Sequence, residues 1–421
     1  MLKRKKIPYG IPNFESIRTQ NYLYVDKTRF IEILENEDTK CHFLIRPRKF
    51  GKSLFVSMLE HYYDVRFKSK FQELFGDLYI GQNPTEKANE YFVLNFDFSG
   101  LDTSDIESFN ESFTATVKNS IITFLTVHSE IFKEISTFKN ELKTITSARA
   151  CLEFTFNIIH SFGKKAFILV DEYDHFVNDI LAKGTTFSKN QNQDNIWSNR
   201  VIISFYETLK AGTKSVVDRI FLTGITPISF DNLTSGFNIM TNLSLETRYN
   251  EILGFTKEEI EWVIEQINLD KSFISVDLEY MYGGYLFDNR GNDKIYNTSM
   301  ILFYFKGLAT TGKSFKYLID DYEKIDYSKI KNLLKKEYNK QIIRELAENK
   351  SISSNVINLF SLEFILEEKN FLSILFYLGL VTIDNSNPNN SALKVPNYAI
   401  KTMYWEFVNR MLFEGYKGFS S

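Results

Sequence analysis

Over the first half of the chain, short apolar runs bounded by polar turns alternate with longer stretches whose apolar positions recur every three or four residues. The runs are Cys41-His42-Phe43-Leu44-Ile45, Tyr91 to Phe96, Ala166 to Val170, and Ile220-Phe221-Leu222. Branched and aromatic residues in unbroken runs of this kind predict strands buried on both faces. The spacing in 107–134, 151–161 and 200–211 predicts helices. Strand and helix in alternation give an α/β fold, a parallel sheet with helices on both faces.

Near residue 254 the texture changes. Gly254-Phe255 precedes Thr256-Lys257-Glu258-Glu259, a capping box in which Thr256 and Glu259 each satisfy a free backbone N–H of a new helix. Beyond it the pattern is mostly helical. The exception is Leu380-Val381-Thr382-Ile383 and Ala392 to Val395 around the turn-rich Asp384 to Ser391, which predicts a β-hairpin. With a helix following at 398–412, this end is expected to contain a winged-helix-like element. A chain of 421 residues exceeds the size at which one core usually keeps growing. Two domains are therefore expected, 1–254 and 255–421.

Composition narrows the class. Hydrophobic residues at 43% and charged residues at 24% are ordinary for a globular chain and exclude a disordered or collagen-like one. The 50 basic and 53 acidic residues leave a formal charge of −3, so no global field draws the protein onto nucleic acid or an anionic membrane. The dense basic run Lys3-Arg4-Lys5-Lys6 is read as a solvated terminus. The two cysteines, Cys41 and Cys151, lie in or near apolar stretches and imply no disulfide framework. The start lacks a signal-peptide pattern and no apolar run approaches the ~18 residues that span a bilayer. The expected location is the cytoplasm. Aromatics reach 15%, with 39 Phe and 23 Tyr, but they recur inside strand and helix patterns, where core packing is their use.

Chemistry enters at Arg46-Pro47-Arg48-Lys49-Phe50-Gly51-Lys52-Ser53. The run at 41–45 leads into this loop, and Leu54 to Tyr63 continue it with Phe55, Met58, Leu59 and Tyr62 at helical spacing. Strand, tight loop and helix are the setting of a phosphate-binding loop. A helix start offers unpaired N–H groups and the positive end of its dipole to a polyphosphate. Gly51 lets backbone approach the phosphates, Lys52 reaches their terminal oxygens, and the Ser53 hydroxyl ligates Mg²⁺. Arg48, Phe50, Gly51, Lys52, Ser53 and Leu54 are thus the candidate nucleotide-binding residues. The pattern is incomplete, since Arg46 stands where a glycine is usual. A second segment, Gly307-Leu308-Ala309-Thr310-Thr311-Gly312-Lys313-Ser314, satisfies the full pattern, but its flanks are helical and no strand precedes it.

Phe167-Ile168-Leu169-Val170-Asp171-Glu172 is an apolar strand ending in two carboxylates. Asp171 is the candidate second metal ligand. Glu172 is the candidate base that polarises the attacking water. Asp174 fits a cap or turn better than the metal shell. A further strand ends in Leu222-Thr223-Gly224, and Thr223 is the candidate sensor of the terminal phosphate. Arg48, Arg219 and Arg248 are arginines able to neutralise phosphate charge, and none is assigned as an arginine finger.

With these residues in view, the chain resembles the bacterial AAA-ATPase-like family, whose members often carry a PD-(D/E)XK nuclease domain after the ATPase. The resemblance rests on Ile7-Pro8-Tyr9-Gly10-Ile11 and Phe14, Tyr24-Val25-Asp26-Lys27-Thr28, the loop 46–53 with its arginine, Val170-Asp171-Glu172-Tyr173-Asp174, Leu222-Thr223-Gly224-Ile225 and Gly254 to Glu259. Later pieces are Tyr282-Gly283-Gly284-Tyr285, Tyr296-Asn297-Thr298 and Leu393 to Asn397. It implies a P-loop NTPase of ASCE type, with an extra strand between the loop strand and the Asp-Glu strand. It also implies a helical lid containing the winged-helix-like element, and ATP with Mg as the ligand. Residues after 400 lack an Asp and Glu-x-Lys constellation, so nuclease activity is not expected of them. The function expected is an ATP hydrolase that couples nucleotide state to a conformational change. The alternative is an ATP-held switch with little hydrolysis that orders a surface for a protein partner, a second copy or nucleic acid. Near-neutral charge weakens the nucleic-acid version.

Overall fold

The computed structural model describes residues 4–177, 200–228, 239–288, 290–291, 293–312, 333–334, 336–361, 364–386 and 391–417. The apolar runs form strands β1 (Cys41–Ile45), β2 (Tyr91–Asp97), β3 (Lys165–Asp171) and β4 (Val217–Gly224), joined by a short β5 (Thr241–Asn242). β1 is buried at every position and β3 at all but its first, as a sheet covered on both faces requires. The sheet is parallel in the order β2-β3-β4-β1-β5. Strand β4 therefore separates the loop strand from the acidic strand. Ile45 lies opposite Gly224, and Asp97 lies opposite Asp171, so the strand ends carrying the candidate chemistry share one edge.

Before the sheet come α1 (Phe14–Thr19) and α2 (Arg29–Glu35), and between its strands run α3 (Lys52–Tyr63), α4 (Ile106–Val127), α5 (Ala148–Ser161) and α6 (Arg200–Gly212). Asp105 caps α4 by accepting the Ser108 N–H, and Ser147 caps α5 by accepting that of Ala150; both satisfy a helix-start donor. Helix α4 buries Phe109, Phe113, Val117, Ile121 and Phe124, one stripe at helical spacing. It ends at Val127, short of the predicted 134. His128 stops it, its ring buried with Nδ1 on Phe124 O (2.8 Å) and Nε2 on Asp64 Oδ1 (2.8 Å).

After residue 254 come α7 (Lys257–Gln266), α8 (Thr298–Thr311), α9 (Glu337–Ala347), β6 (Ile352–Ser353), α10 (Phe371–Tyr377), β7 (Thr382–Asp384), β8 (Ala392–Lys394) and α11 (Tyr398–Lys417). The capping box at Thr256 and Glu259 is formed. β7 and β8 pair as an antiparallel hairpin, and β6 adds on the other side of β8. Gly307 to Thr311 lie inside α8, which ends at Gly312 with φ +71°; Lys313 and Ser314 fall outside the described residues. One hydrophobic cluster runs from Phe14 through the sheet to Phe407, so the parts before and after 254 share a core. Of the basic start, Lys3 lies outside the described residues and Lys6 is held rather than loose: its N–H donates to Asn21 O and its O accepts from Leu23 N–H.

Candidate functional site

The loop between β1 and α3 turns on two left-handed residues, Lys49 (φ +67°) and Gly51 (φ +101°). Gly51 caps α3 without any side-chain bond, which leaves the first-turn N–H groups of α3 without a capping side chain. A Cβ added at Gly51 would meet no atom within 4 Å. The space before the helix start is therefore open to a ligand, and only glycine takes this φ without strain.

Lys52 is buried, and its ammonium donates to Arg46 O (3.0 Å) and Pro47 O (2.9 Å). Burial lowers its pKa, opposed by the charges of Asp171, Glu172 and Asp174. The neighbouring Ser53 hydroxyl lies near enough to the Asp171 carboxylate to lower its pKa. Burial pushes the Asp171 carboxyl up to about 6, against the influence of Ser53 and the Lys52 charge, while Asp97 and Glu172 add repulsion. Glu172 follows at φ +50°, a strained backbone for a non-glycine residue. Its Oε2 lies 3.1 Å from His175 Nδ1. That bond, with the charges of Lys52 and Arg48, lowers the Glu172 pKa despite partial burial.

Of these groups, Gly51, Lys52, Ser53 and Glu172 line a cavity of about 390 Å³, and Asp171 and His175 do not; the volume is within the range of small-ligand sites. One end is residues 48–55 with Glu172; the rest is Pro8 to Pro12, Leu23 to Val25, Lys27 and Leu253 to Phe255, closed by Thr298, Ser299 and Leu302. Sequence reasoning missed this second wall, and also Asp97. The signals were present in the Pro8-Tyr9-Gly10 and Tyr24 to Thr28 segments and in the carboxylate directly after Phe96.

Several predicted residues serve the frame. Arg46 is fully buried; its guanidinium donates to Ile45 O (2.9 Å), Ser244 O (2.7 Å) and Tyr249 O (2.6 Å) and sits 4.2 Å above the Phe287 ring. Burial brings its pKa down to about 9. It does not line the cavity, and its guanidinium is taken up by the carbonyls of Ile45, Ser244 and Tyr249. Phe50 touches the cavity, but its ring is buried edge-on against Tyr285 and Phe287. Thr223 is buried, and its hydroxyl donates to Leu44 O (2.9 Å), tying β4 to β1. Asp174 accepts the N–H groups of Ile225 and Thr226, so it fastens the turn after β3 to the turn after β4. Of the three arginines, Arg48 lines the cavity, Arg219 is buried with its guanidinium toward Leu34 O and Glu35 O, and Arg248 pairs with Glu37 and Glu246.

The donor set suits a magnesium–triphosphate. Ser53 and Asp171 bring two hard oxygen donors together at the helix start, with the Asp97 carboxylate near enough to raise the Asp171 pKa, and hard oxygens are what Mg²⁺ takes. A glycine cradle without an obstructing Cβ stands beside them.

The profile of a family described as Predicted AAA-ATPase matches residues 8–234. A protein of Azotobacter chroococcum mcd 1, described as an uncharacterized protein in the vnfD 5' region, is 27% identical over 312 residues, 72% of this chain and 52% of that protein. The chain thus spans about half the length of this curated relative (52%). Among solved structures, Cdc6p from Pyrobaculum aerophilum aligns at a TM-score of 0.32 and 12% identity over 97% of both chains. The ORC2 protein of Aeropyrum pernix, described as ADPNP-ADP complexes, aligns at 0.39 and 12% identity over 94% of this chain and 98% of that one.

Proposed function

This chain belongs to the Predicted AAA-ATPase family, and from that premise we propose that it binds ATP with Mg²⁺ and hydrolyses it to ADP and phosphate. The observation that carries the reading is that the Ser53 hydroxyl and the Lys52 ammonium lie near enough to the Asp171 carboxylate to hold its pKa down against burial. This proximity brings the helix start after β1 to the end of β3, two strands away across β4, which supports reading the proposed metal ligands and the loop as one site.

In this reading the first-turn amides of α3 and the Lys52 ammonium hold the phosphates. Lys52 exchanges the carbonyls of Arg46 and Pro47 for phosphate oxygens. Ser53 and Asp171 hold Mg²⁺, which when bound neutralises phosphate charge and orients the chain of phosphates. Glu172, ionised at neutral pH because its pKa is lowered, accepts the proton of the attacking water, and His175 fixes its other oxygen. Thr223 acts from behind, keeping β4 in register with β1. The apolar walls at 8–12, 23–25 and 253–255 receive base and sugar.

Coupling to the second half follows from the loop's own carbonyls. Ser299 N–H donates to Lys49 O (3.2 Å), Gly254 N–H to Phe50 O (3.3 Å) and the Thr298 hydroxyl to Phe50 O (3.2 Å). A loop that moves to accept phosphate moves the start of α8 with it.

The test is nucleotide binding and Mg²⁺-dependent turnover of the purified chain. Lys52→Ala is expected to weaken ATP binding roughly 10- to 100-fold, the worth of a charged hydrogen bond. Glu172→Gln is expected to keep binding and lose roughly 10²- to 10⁴-fold in turnover, the usual worth of a general base. Full turnover by Glu172→Gln would remove the role of Glu172, and absence of any ATP binding by the unaltered chain would remove the proposal.

A further inference from the structure

Lys27 is a charged residue on an otherwise apolar wall, and it belongs neither to the phosphate loop nor to the acidic strand. It is 8% exposed. Its ammonium has three protons and three near acceptors: Glu259 Oε1 at 2.6 Å, Glu259 Oε2 at 2.7 Å and Glu251 O at 2.9 Å. Glu259 is itself committed, since its Oε2 also accepts the Thr256 N–H that opens α7 (2.9 Å).

The backbone on the lysine's own side is fixed as well. Asp26 Oδ1 accepts both the N–H and the hydroxyl of Thr28, and Oδ2 accepts the Tyr79 N–H (2.7 Å). On the far side, Gly254 stands between Glu251 and Thr256 and reaches the phosphate loop at Phe50 O. One side chain thus joins the wall at 23–27 to the wall at 251–259, and through Gly254 to the loop. A buried ion pair adds little net stability compared with apolar residues of the same size. What it does set, within hydrogen-bond tolerance, is a distance between two segments.

We infer that Lys27 is a positioning residue: its bond to Glu259 sets the separation of the two walls that receive base and sugar, and so governs affinity for the nucleoside part of the ligand. The inference rests on the nucleotide reading above. Lys27 does not touch the phosphate end, so its effect separates from that of Lys52.

The experiment compares the full chain with the Lys27→Met/Glu259→Met double variant, which removes both charges and leaves neither unpaired. Calorimetric titration uses Mg²⁺–ATP and, separately, Mg²⁺–tripolyphosphate. The expected result is an ATP affinity lower by about 10-fold, equivalent to about 1.4 kcal/mol, with tripolyphosphate affinity unchanged. In turnover, KM rises by a similar factor while kcat stays the same. Lys27→Arg, which keeps the cation, is expected to recover part of the loss. Wild-type ATP affinity in the double variant, or equal losses for ATP and tripolyphosphate, overturns the inference and leaves the ATPase reading standing. Failure of the unaltered chain to bind either ligand removes both. Should the double variant not fold, Glu259→Gln keeps the shape and removes the charge, and wild-type ATP affinity there overturns the inference equally.

Discussion

Burial pushes the Asp171 carboxyl up to about 6 in the folded chain, whereas an unfolded aspartate has a pKa of about 3.9. Between those values the folded state holds more protons than the unfolded one, so this group's contribution to stability falls as pH rises through the window. Each pKa unit is worth about 1.4 kcal/mol. Without a divalent ion, Asp171→Asn is therefore expected to raise Tm at pH 7, with the gain fading to nothing below about pH 4. A gain that stays constant between those pH values contradicts the assignment of the shift to burial. Arg46 leads to the opposite kind of prediction. Arg46→Gly completes the usual glycine pattern of the loop, yet it takes the guanidinium donors from Ser244 O and Tyr249 O, leaves Tyr249 O with the Ile252 N–H, and empties the space over Phe287. The expected cost is roughly 3 kcal/mol or more, read from the urea midpoint. An unchanged midpoint would show that the guanidinium holds nothing.

Helix α3 begins at a glycine with φ +101° that no neighbouring atom crowds. Gly51→Ala therefore meets strain but no clash, at about 1–2 kcal/mol for a left-handed residue. Its methyl enters the space before the amides, so nucleotide affinity is expected to fall further than stability does. Titration with ATP beside thermal melting separates the two effects, and a variant that melts lower while binding normally contradicts the orientation given to Gly51. Helix α7 shows a different economy: Glu259 serves its own capping box and also Lys27. One carboxylate at a helix start thereby ends a helix's N–H deficit and joins two walls of the cavity.

Across the whole molecule, the sheet half and the helical half are bound at the phosphate loop itself. Arg46 lies over Phe287, Phe50 packs against Tyr285 and Phe287, and the Ser299 N–H holds Lys49 O. A Cβ added at Gly379 would come within 2.9 Å of Pro47, so α10's end presses on the loop too. Residues 1–254 expressed alone lose all of these partners and expose part of one continuous core. Such a fragment is expected to show no sharp urea transition by circular dichroism, whereas the full chain shows one. A cooperative transition in the fragment would mean that the loop frame stands without its second half.

The sequence by itself determined what local spacing can encode: the strands at 41–45, 91–96, 166–170 and 220–222, the helices between them, the capping box at 256 and the hairpin near 390. It also made legible the candidate residues Gly51-Lys52-Ser53 and Asp171-Glu172, because each group is contiguous and follows an apolar strand. Tertiary structure alone decided where Arg46 points, since its acceptor Ser244 O is 198 residues away. It likewise decided that Phe50 packs inward, that Asp174 fastens one turn to another, and that Lys27 meets Glu259 at a separation of 232 residues. Two-residue β5 offers no periodicity to detect, and it is a strand only because β1 supplies its partner. The physical reason is common to all of these: a periodic pattern records which face of an element is buried, whereas a hydrogen bond between distant segments exists only once the chain has brought them together.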